Sequence, residues 1–328
     1  MFTSEQRMNK EIGGYFELEL SRGKEFHSEA ISLNSGKNCL EYILRARKFC
    51  KVYIPYYTCD IIVQPFERLG IDYQFYSIDY NFEISDEINL NTNEALLYTN
   101  YYGLKDVYIK SLKKKYGIHL IIDNSQAFFA EPITGIDTFY TCRKFFGVPD
   151  GAYLYTETKL TIEVPLSYSY ENTSHLLKRI DLNASEGFQD YHDAENYLGN
   201  QPIMSMSNLT HRILSSINYV KIAEIRRQNF QYLHKKLKNY NCLELNIYED
   251  AVPMVYPFLF FDIELREKLI SNKIFVARYW PNVLKWTEKN SIEHQLTKCL
   301  QPLPIDQRYG KTEMDFIVKT IKEYAEHC

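Results

Sequence analysis

Between residues 51 and 156 short apolar runs alternate with amphipathic stretches, and this alternation restricts the fold more than any other property of the chain. Residues 51–56, 72–77, 94–99, 120–123 and 151–156 read as strands, and 36–49, 60–69 and 106–116 as helices. The apolar runs span four to six residues, which suits strands buried on both faces better than buried helices. A helix between two such strands carries the chain back to the same sheet edge, so that the strands run parallel. The pattern predicts an α/β fold with a mainly parallel central sheet flanked by helices. Ligands of such folds gather at the carboxyl ends of the strands.

Two of these ends carry chemistry. His119-Leu120-Ile121-Ile122-Asp123-Asn124-Ser125-Gln126 delivers an acid to the end of an apolar run, and Thr141-Cys142-Arg143-Lys144 brings a lysine 21 residues after it. Taken singly, Asp123 reads as a turn former or helix cap and Lys144 as a surface charge. As a pair they are what pyridoxal 5'-phosphate (PLP) requires. The carboxylate keeps the pyridine nitrogen protonated, and the amine holds the cofactor as a Schiff base and moves protons. Burial beside the cofactor is expected to lower the pKa of that amine. Upstream, Asn34-Ser35-Gly36-Lys37 precedes Leu40, Ile43 and Leu44 at helical spacing. A helix start of this kind offers backbone N–H groups to a phosphate, although it reads equally as an ordinary capped helix.

The order Asn34-Ser35-Gly36, Tyr53-Ile54-Pro55-Tyr56-Tyr57-Thr58-Cys59, Tyr98-Thr99-Asn100-Tyr101-Tyr102-Gly103, Ile122-Asp123-Asn124-Ser125-Gln126-Ala127 and Thr141-Cys142-Arg143-Lys144 resembles the DegT/DnrJ/StrS family. Leu303-Pro304-Ile305-Asp306-Gln307-Arg308-Tyr309 is similar to its closing segment. The resemblance implies a fold-type-I PLP-transferase with a smaller C-terminal α/β domain. It also implies a homodimer in which the partner completes each active site. Many members are aminotransferases acting on nucleotide-linked keto-sugars, with glutamate as the implied donor. The resemblance gives Lys144 and Asp123 the catalytic roles. It sets Gln126 near the cofactor's ring oxygen, and Ser35, Gly36, Lys37 and Thr141 at its phosphate. Tyr101, Tyr102, Arg278 and Trp280 are candidates for the substrate pocket, with a surface ion pair for Arg278 and core packing for Trp280 as alternatives.

Three positions depart from the family pattern. Lys37 stands where a small residue is usual, and either adds charge to the phosphate site or points to solvent. Cys59 stands where many relatives carry the aromatic ring that stacks on the cofactor. Tyr57 is expected to replace that ring, or Cys59 to lie beneath a more loosely held cofactor. Gly147-Val148-Pro149-Asp150-Gly151-Ala152 is less glycine-rich than the usual turn after the lysine.

The expected division is a large PLP-binding domain over 1–204 and a small domain over 205–328. The lead-in, 1–30, includes a strand at Tyr15-Phe16-Glu17-Leu18. Residues 164–204 read as polar and irregular, and as the contributor to a partner's site. A long helix is expected over 205–239, strands at 256–262 and 274–277, and helices at 263–272 and 313–326.

With 45% apolar and 24% charged residues the composition is that of a globular protein. A net charge of −4 offers no nucleic-acid surface, and Lys113-Lys114-Lys115 reads as a solvated helical face. Met1 to Lys10 is polar, and no apolar run reaches membrane length. Seven scattered cysteines (39, 50, 59, 142, 242, 299 and 328) and dispersed histidines predict a cytoplasmic protein without a metal site. A dinucleotide-binding reading lacks Gly-x-Gly-x-x-Gly after the first strand. Two other readings remain. One is a PLP-dependent sugar dehydratase, against which Lys144 stands because the dehydrating relatives carry histidine there. The other is a PLP-fold binding or regulatory protein without turnover, motivated by Lys37 and Cys59.

Overall fold

Seven strands build the main sheet: β1 (Ile31–Leu33), β2 (Lys51–Pro55), β3 (Asp72–Tyr76), β4 (Glu94–Thr99), β5 (Leu120–Asp123), β6 (Asp137–Thr141) and β7 (Ala152–Tyr155). Their order is β1-β7-β6-β5-β4-β2-β3 in this computed structural model, which describes residues 12–246 and 248–326. The five strands from β3 to β6 across the sheet are parallel, and β7 runs antiparallel to both β6 and β1. The chain steps outward from β2 to β3, then builds β4, β5 and β6 on the other side of β2. Strand order therefore reverses beside β2 and β4, where α/β sheets open a crevice.

The central strands are buried on both faces, whereas the edge strand β3 is largely exposed, and the alternation along the central strands feeds two cores. In β4, Ala95 and Leu97 join Ile54, Ile121, Phe139 and Leu154 beneath helices α1 (Gly36–Arg47) and α2 (Gln64–Leu69). Leu96 and Tyr98 point the other way, into a larger core with Leu120, Ile122 and Leu112 of α3 (Asp106–Tyr116). That core continues without interruption into the C-terminal part, taking in Tyr256 and Leu303. These two residues belong to β8 (Val255–Leu259) and β9 (Leu300–Pro304), an antiparallel pair that forms the second sheet.

Several expectations are corrected. Tyr15 to Leu18 is not a strand: Tyr15 is 99% and Phe16 92% exposed. The strand expected at 274–277 is irregular, and β1, β6 and β9 were not anticipated. Residues 164–204 contain two helices, α4 (Ser174–Asp181) and α5 (Phe188–Asn200), rather than an irregular run. An ion pair from Lys178 to Asp190 (2.7 Å) joins them. The single helix expected over 205–239 is two, α6 (Asn208–Ser215) and α7 (Tyr219–Leu237). Ser207 and Asn218 cap them by accepting from the N–H groups of Thr210 and Lys221, so each segment closes its own first turn. The remaining helices are α8 (Glu264–Ser271), α9 (Val283–Trp286), α10 (Ile292–Cys299) and α11 (Lys311–Ala325).

Six cysteines among the described residues are free thiols, and Cys328 lies outside those residues, as does the Met1 to Lys10 stretch. Among the described residues no helix is long and apolar enough to cross a membrane.

Candidate active site

The carboxyl ends of β4, β5 and β6 meet the N-terminus of α1. Register sets Thr99 of β4 beside Asp123 of β5, and Asp123 beside Phe139 of β6. Asp123 is 5% exposed. Its Oδ1 accepts from the N–H of Ser125 (2.7 Å) and its Oδ2 from Thr99 Oγ1 (3.4 Å), which fixes the carboxylate at the strand end. The turn that follows is built on Ser125. The Ser125 carbonyl accepts from Thr141 Oγ1 (3.2 Å), and Ser125 Oγ accepts from Lys144 Nζ (3.2 Å). Ser125 thus ties the acid's turn to the lysine's turn. It lies inside the motif that contains Asp123, but sequence reasoning gave it no role.

Gln126 is fully buried. Its Oε1 accepts from the N–H of Tyr102 (2.9 Å), which orients the amide, while its Nε2 is sealed from water without a partner. A buried N–H without an acceptor costs about 1–3 kcal/mol, so this atom points to a ligand acceptor. Ser35 caps α1 by accepting from the N–H of Asn38 (3.3 Å). The N–H groups of Gly36 and Lys37 have no acceptor within the helix, as at every helix start, and suit an anion. Gly36 is required for close approach: a Cβ there would lie 2.6 Å from Thr141 Cγ2. Gly36, Ser125, Thr141 and Lys144 therefore surround one position.

Lys37 neither faces this position nor points to solvent. Its side chain is buried and donates to the carbonyls of Gly199 and Gln201 (3.4 Å) and to Gln64 Oε1 (3.4 Å). Burial first, and the neighbouring Arg68 charge second, hold its pKa below the usual lysine range. Asn38 Nδ2 donates to Pro202 O (2.7 Å) and Asn34 Nδ2 to the same carbonyl (3.1 Å). These contacts fasten the C-terminal end of α5 onto the start of α1.

Lys144 is exposed in this chain rather than buried as expected. Cys59 is half-buried and lies within the field of the Lys144 ammonium; burial, the larger influence, raises its thiol pKa. Tyr57 does not replace the missing stacking ring. It is fully buried, with its hydroxyl 3.3 Å from that of Tyr102 and its ring against Tyr101 and Trp280. Tyr101 and Tyr102 are also fully buried, so neither lines an open substrate pocket. Trp280 is 8% exposed and packs edge-on against Tyr57 (5.0 Å between centroids), a core role. Arg278 is exposed, and its charge acts on Arg266 and Cys299 of the C-terminal part. The four candidates thus divide into an aromatic floor of three residues and one surface cation.

The turn carrying Lys144 is held from three further sides. The carbonyl of Phe145 accepts from Gln307 Nε2 (2.8 Å) and from Arg226 Nη2 (3.5 Å), and the Arg226 guanidinium lies 4.5 Å from the Phe145 ring centroid. Arg226 is 1% exposed; burial pushes its pKa down to about 10, so it stays charged near neutrality. The buried Asp150 carboxylate accepts from the N–H of Ser207 (3.1 Å) and from the Thr210 hydroxyl at the start of α6. On the open side, Arg143 pairs with Glu195 of α5.

No protein-family model matches this sequence, and no curated protein is similar to it in sequence. Solved structures do match. A DegT DnrJ EryC1 StrS aminotransferase from Brucella abortus superimposes with a TM-score of 0.60 at 14% identity, over 90% of this chain and 85% of that one. The fold is that of the DegT/DnrJ/EryC1/StrS aminotransferases. The sugar aminotransferase CalS13 from Micromonospora echinospora gives 0.61 at 12% identity, over 90% of this chain and 87% of its own. An E. coli GDP-4-keto-6-deoxy-D-mannose-3-dehydratase, solved with hydrated PLP, gives 0.58 at 16% identity, over 89% and 87%. At these identities the likeness concerns the fold. It agrees with the mainly parallel sheet flanked by helices.

Proposed function

We propose that this chain is a PLP-dependent aminotransferase that moves an amino group from a donor such as glutamate to a keto-sugar nucleotide. The observation that carries the reading is the convergence of Asp123, Gln126, Thr141 and Lys144 with the N-terminus of α1 at the strand ends. The residues fit the cofactor. Gln126 offers a buried N–H with no protein acceptor, and Gly36 keeps the space beside Thr141 that a Cβ would fill.

Bound PLP supplies an electron sink for the carbon that loses its proton. Asp123, oriented by Ser125 and Thr99, would hold a proton at the ring nitrogen. The N–H groups of Gly36 and Lys37 would take the phosphate, beside Thr141, whose hydroxyl donates to the Ser125 carbonyl. The Lys144 amine would hold the cofactor and, when free, could move a proton at the reacting carbon. Ser125 Oγ keeps that amine over the site. Cys59 in place of an aromatic leaves one face of the site with a smaller, softer contact.

A homodimer belongs to the same reading. It is supported by large exposed apolar residues on the lead-in (Ile12, Tyr15, Phe16) and on the α4–α5 hairpin (Ile180, Phe188). The dehydratase reading draws support from the E. coli neighbour but keeps Lys144 against it.

The test is an absorbance spectrum of the protein with PLP, before and after glutamate. A visible band that disappears in Lys144→Ala, and moves to the near ultraviolet when glutamate is added, is expected. No band in the wild-type protein, or full turnover by Lys144→Ala, would refute the mechanism.

A further inference from the structure

Ser125 lies two residues beyond Asp123 and is 7% exposed. It touches three parts of the site, two of them through its backbone. Its N–H donates to Asp123 Oδ1 (2.7 Å), and its carbonyl accepts from Thr141 Oγ1 (3.2 Å). The turn around it is pinned on both sides. The N–H of Asn124 donates to the Phe139 carbonyl (2.8 Å), and that of Ala127 to the Asn124 carbonyl (2.9 Å). All of these bonds would survive with alanine at position 125. The turn therefore accounts for the backbone of this residue but not for its hydroxyl. Among the described residues that hydroxyl has one partner, Lys144 Nζ, from which Oγ accepts at 3.2 Å. It is also the sole hydrogen-bond partner of the Lys144 amine among those residues.

Lys144 arrives from a separate turn, and its side chain is exposed. A lysine stem of this kind samples many rotamers in water. Ser125 Oγ, set in place by its own backbone, gives the amine one defined position beside the Asp123 and Thr141 turns. The choice of a hydroxyl matters. A carboxylate would hold the amine only as an ammonium ion, because it accepts and does not donate. A hydroxyl accepts from the charged amine and, rotated about its C–O bond, donates to the lone pair of the neutral one. The bond to the charged form is the stronger of the two.

We infer that the Ser125 hydroxyl is a positioning group for the Lys144 amine, and that it stays with the amine in both protonation states. The inference rests on the aminotransferase reading for the use of that amine, whereas the contact itself does not. An amine that must shed a proton to attack and later carry one needs a partner that locks neither state. Because its bond to the charged amine is the stronger, the hydroxyl also restrains the amine's reactivity. Ser125→Ala removes this one contact and leaves every backbone bond of the turn in place.

The experiment has two arms on the full chain. Without cofactor, trinitrobenzenesulfonate labels amines at a fixed pH, and peptide mass mapping reads the rate at Lys144. The residue is exposed, so the reagent reaches it in every variant. Ser125→Ala is expected to label about threefold to tenfold faster, the range that loss of one partly exposed hydrogen bond to a charge allows. With PLP present, the pH midpoint of the visible band is expected to fall by about 0.5–1 unit in the same variant. Ser125→Thr, which keeps the hydroxyl, is expected to follow wild type in both arms. Labelling of Ser125→Ala at or below the wild-type rate overturns the inference, as does an equal change in Ser125→Ala and Ser125→Thr. Failure of the cofactor reading would show separately, as the absence of a visible band with PLP in wild-type protein, and the labelling arm would still decide the role of Ser125.

Discussion

Acid should loosen the turn that presents Gln126, and His27 supplies the reason. This imidazole is 2% exposed, set among Phe128, Tyr140 and Tyr153, with Nε2 bonded to the Phe128 carbonyl at 2.7 Å and Nδ1 near Tyr155 Oη at 3.1 Å. Burial lowers its pKa from 6.5 to about 4, outweighing the bond to Phe128. The neutral ring is therefore the folded form. Below pH 6.5 the unfolded chain takes a proton that the folded chain refuses until about pH 4, so stability falls as pH falls through that window. The loss works out at about 2 kcal/mol by pH 5 and about 3 kcal/mol by pH 4. Urea midpoints of wild type and His27→Gln, measured from pH 7.5 to 4, isolate the effect, because every other group titrates alike in both proteins. The difference between the two curves should shrink by these amounts on acidification. Parallel curves would refute the argument, as would a loss confined to pH above 6.5. The neighbouring Glu25–His211 pair is common to both proteins. His211 is raised, so its contribution is lost as pH rises, whereas Glu25 is lowered and its contribution is lost as pH falls below 4.5.

Two other substitutions probe the site's frame. Gly36→Ala drives a methyl group against Thr141 and should cost about 1–3 kcal/mol of stability; a PLP titration should also show weakened binding, and unchanged affinity would remove the α1 start from the phosphate site. Arg226→Met keeps the volume but removes the donor to the Met254 carbonyl and leaves Phe145 to Gln307 alone. It should lower stability by about 2–4 kcal/mol in urea melts, with Arg226→Lys recovering part of the loss.

By itself the sequence determined the sheet and the order of its chemistry. Strand and helix periods are local, so β2, β4, β5 and the helices between them could be read from spacing. Asp123 follows from the end of β5, because a strand's carboxyl end is where its last side chain meets open space, whereas Thr141 and Lys144 were read from their motif and its spacing from Asp123. Of the strands that escaped, β6 lies between its partners in sequence, whereas β1 and β9 pair with strands far off. β1 pairs with β7, and β9 with β8, and neither is marked by local alternation.

Only the tertiary structure decided what each polar or aromatic side chain touches. Tyr57, Tyr101 and Tyr102 resemble pocket residues in sequence because tyrosine has both an apolar ring and a polar tip. Packing sealed them among each other and Trp280, with their hydroxyls satisfied internally. Lys37 sits at a phosphate-binding position by order, yet its long side chain reaches the end of α5, which is more than 160 residues away in sequence. The pairing of Arg143 with Glu195 is of the same kind. Spacing along a chain reports backbone direction, whereas the partner of a long side chain is set by whichever distant helix the core brings against it.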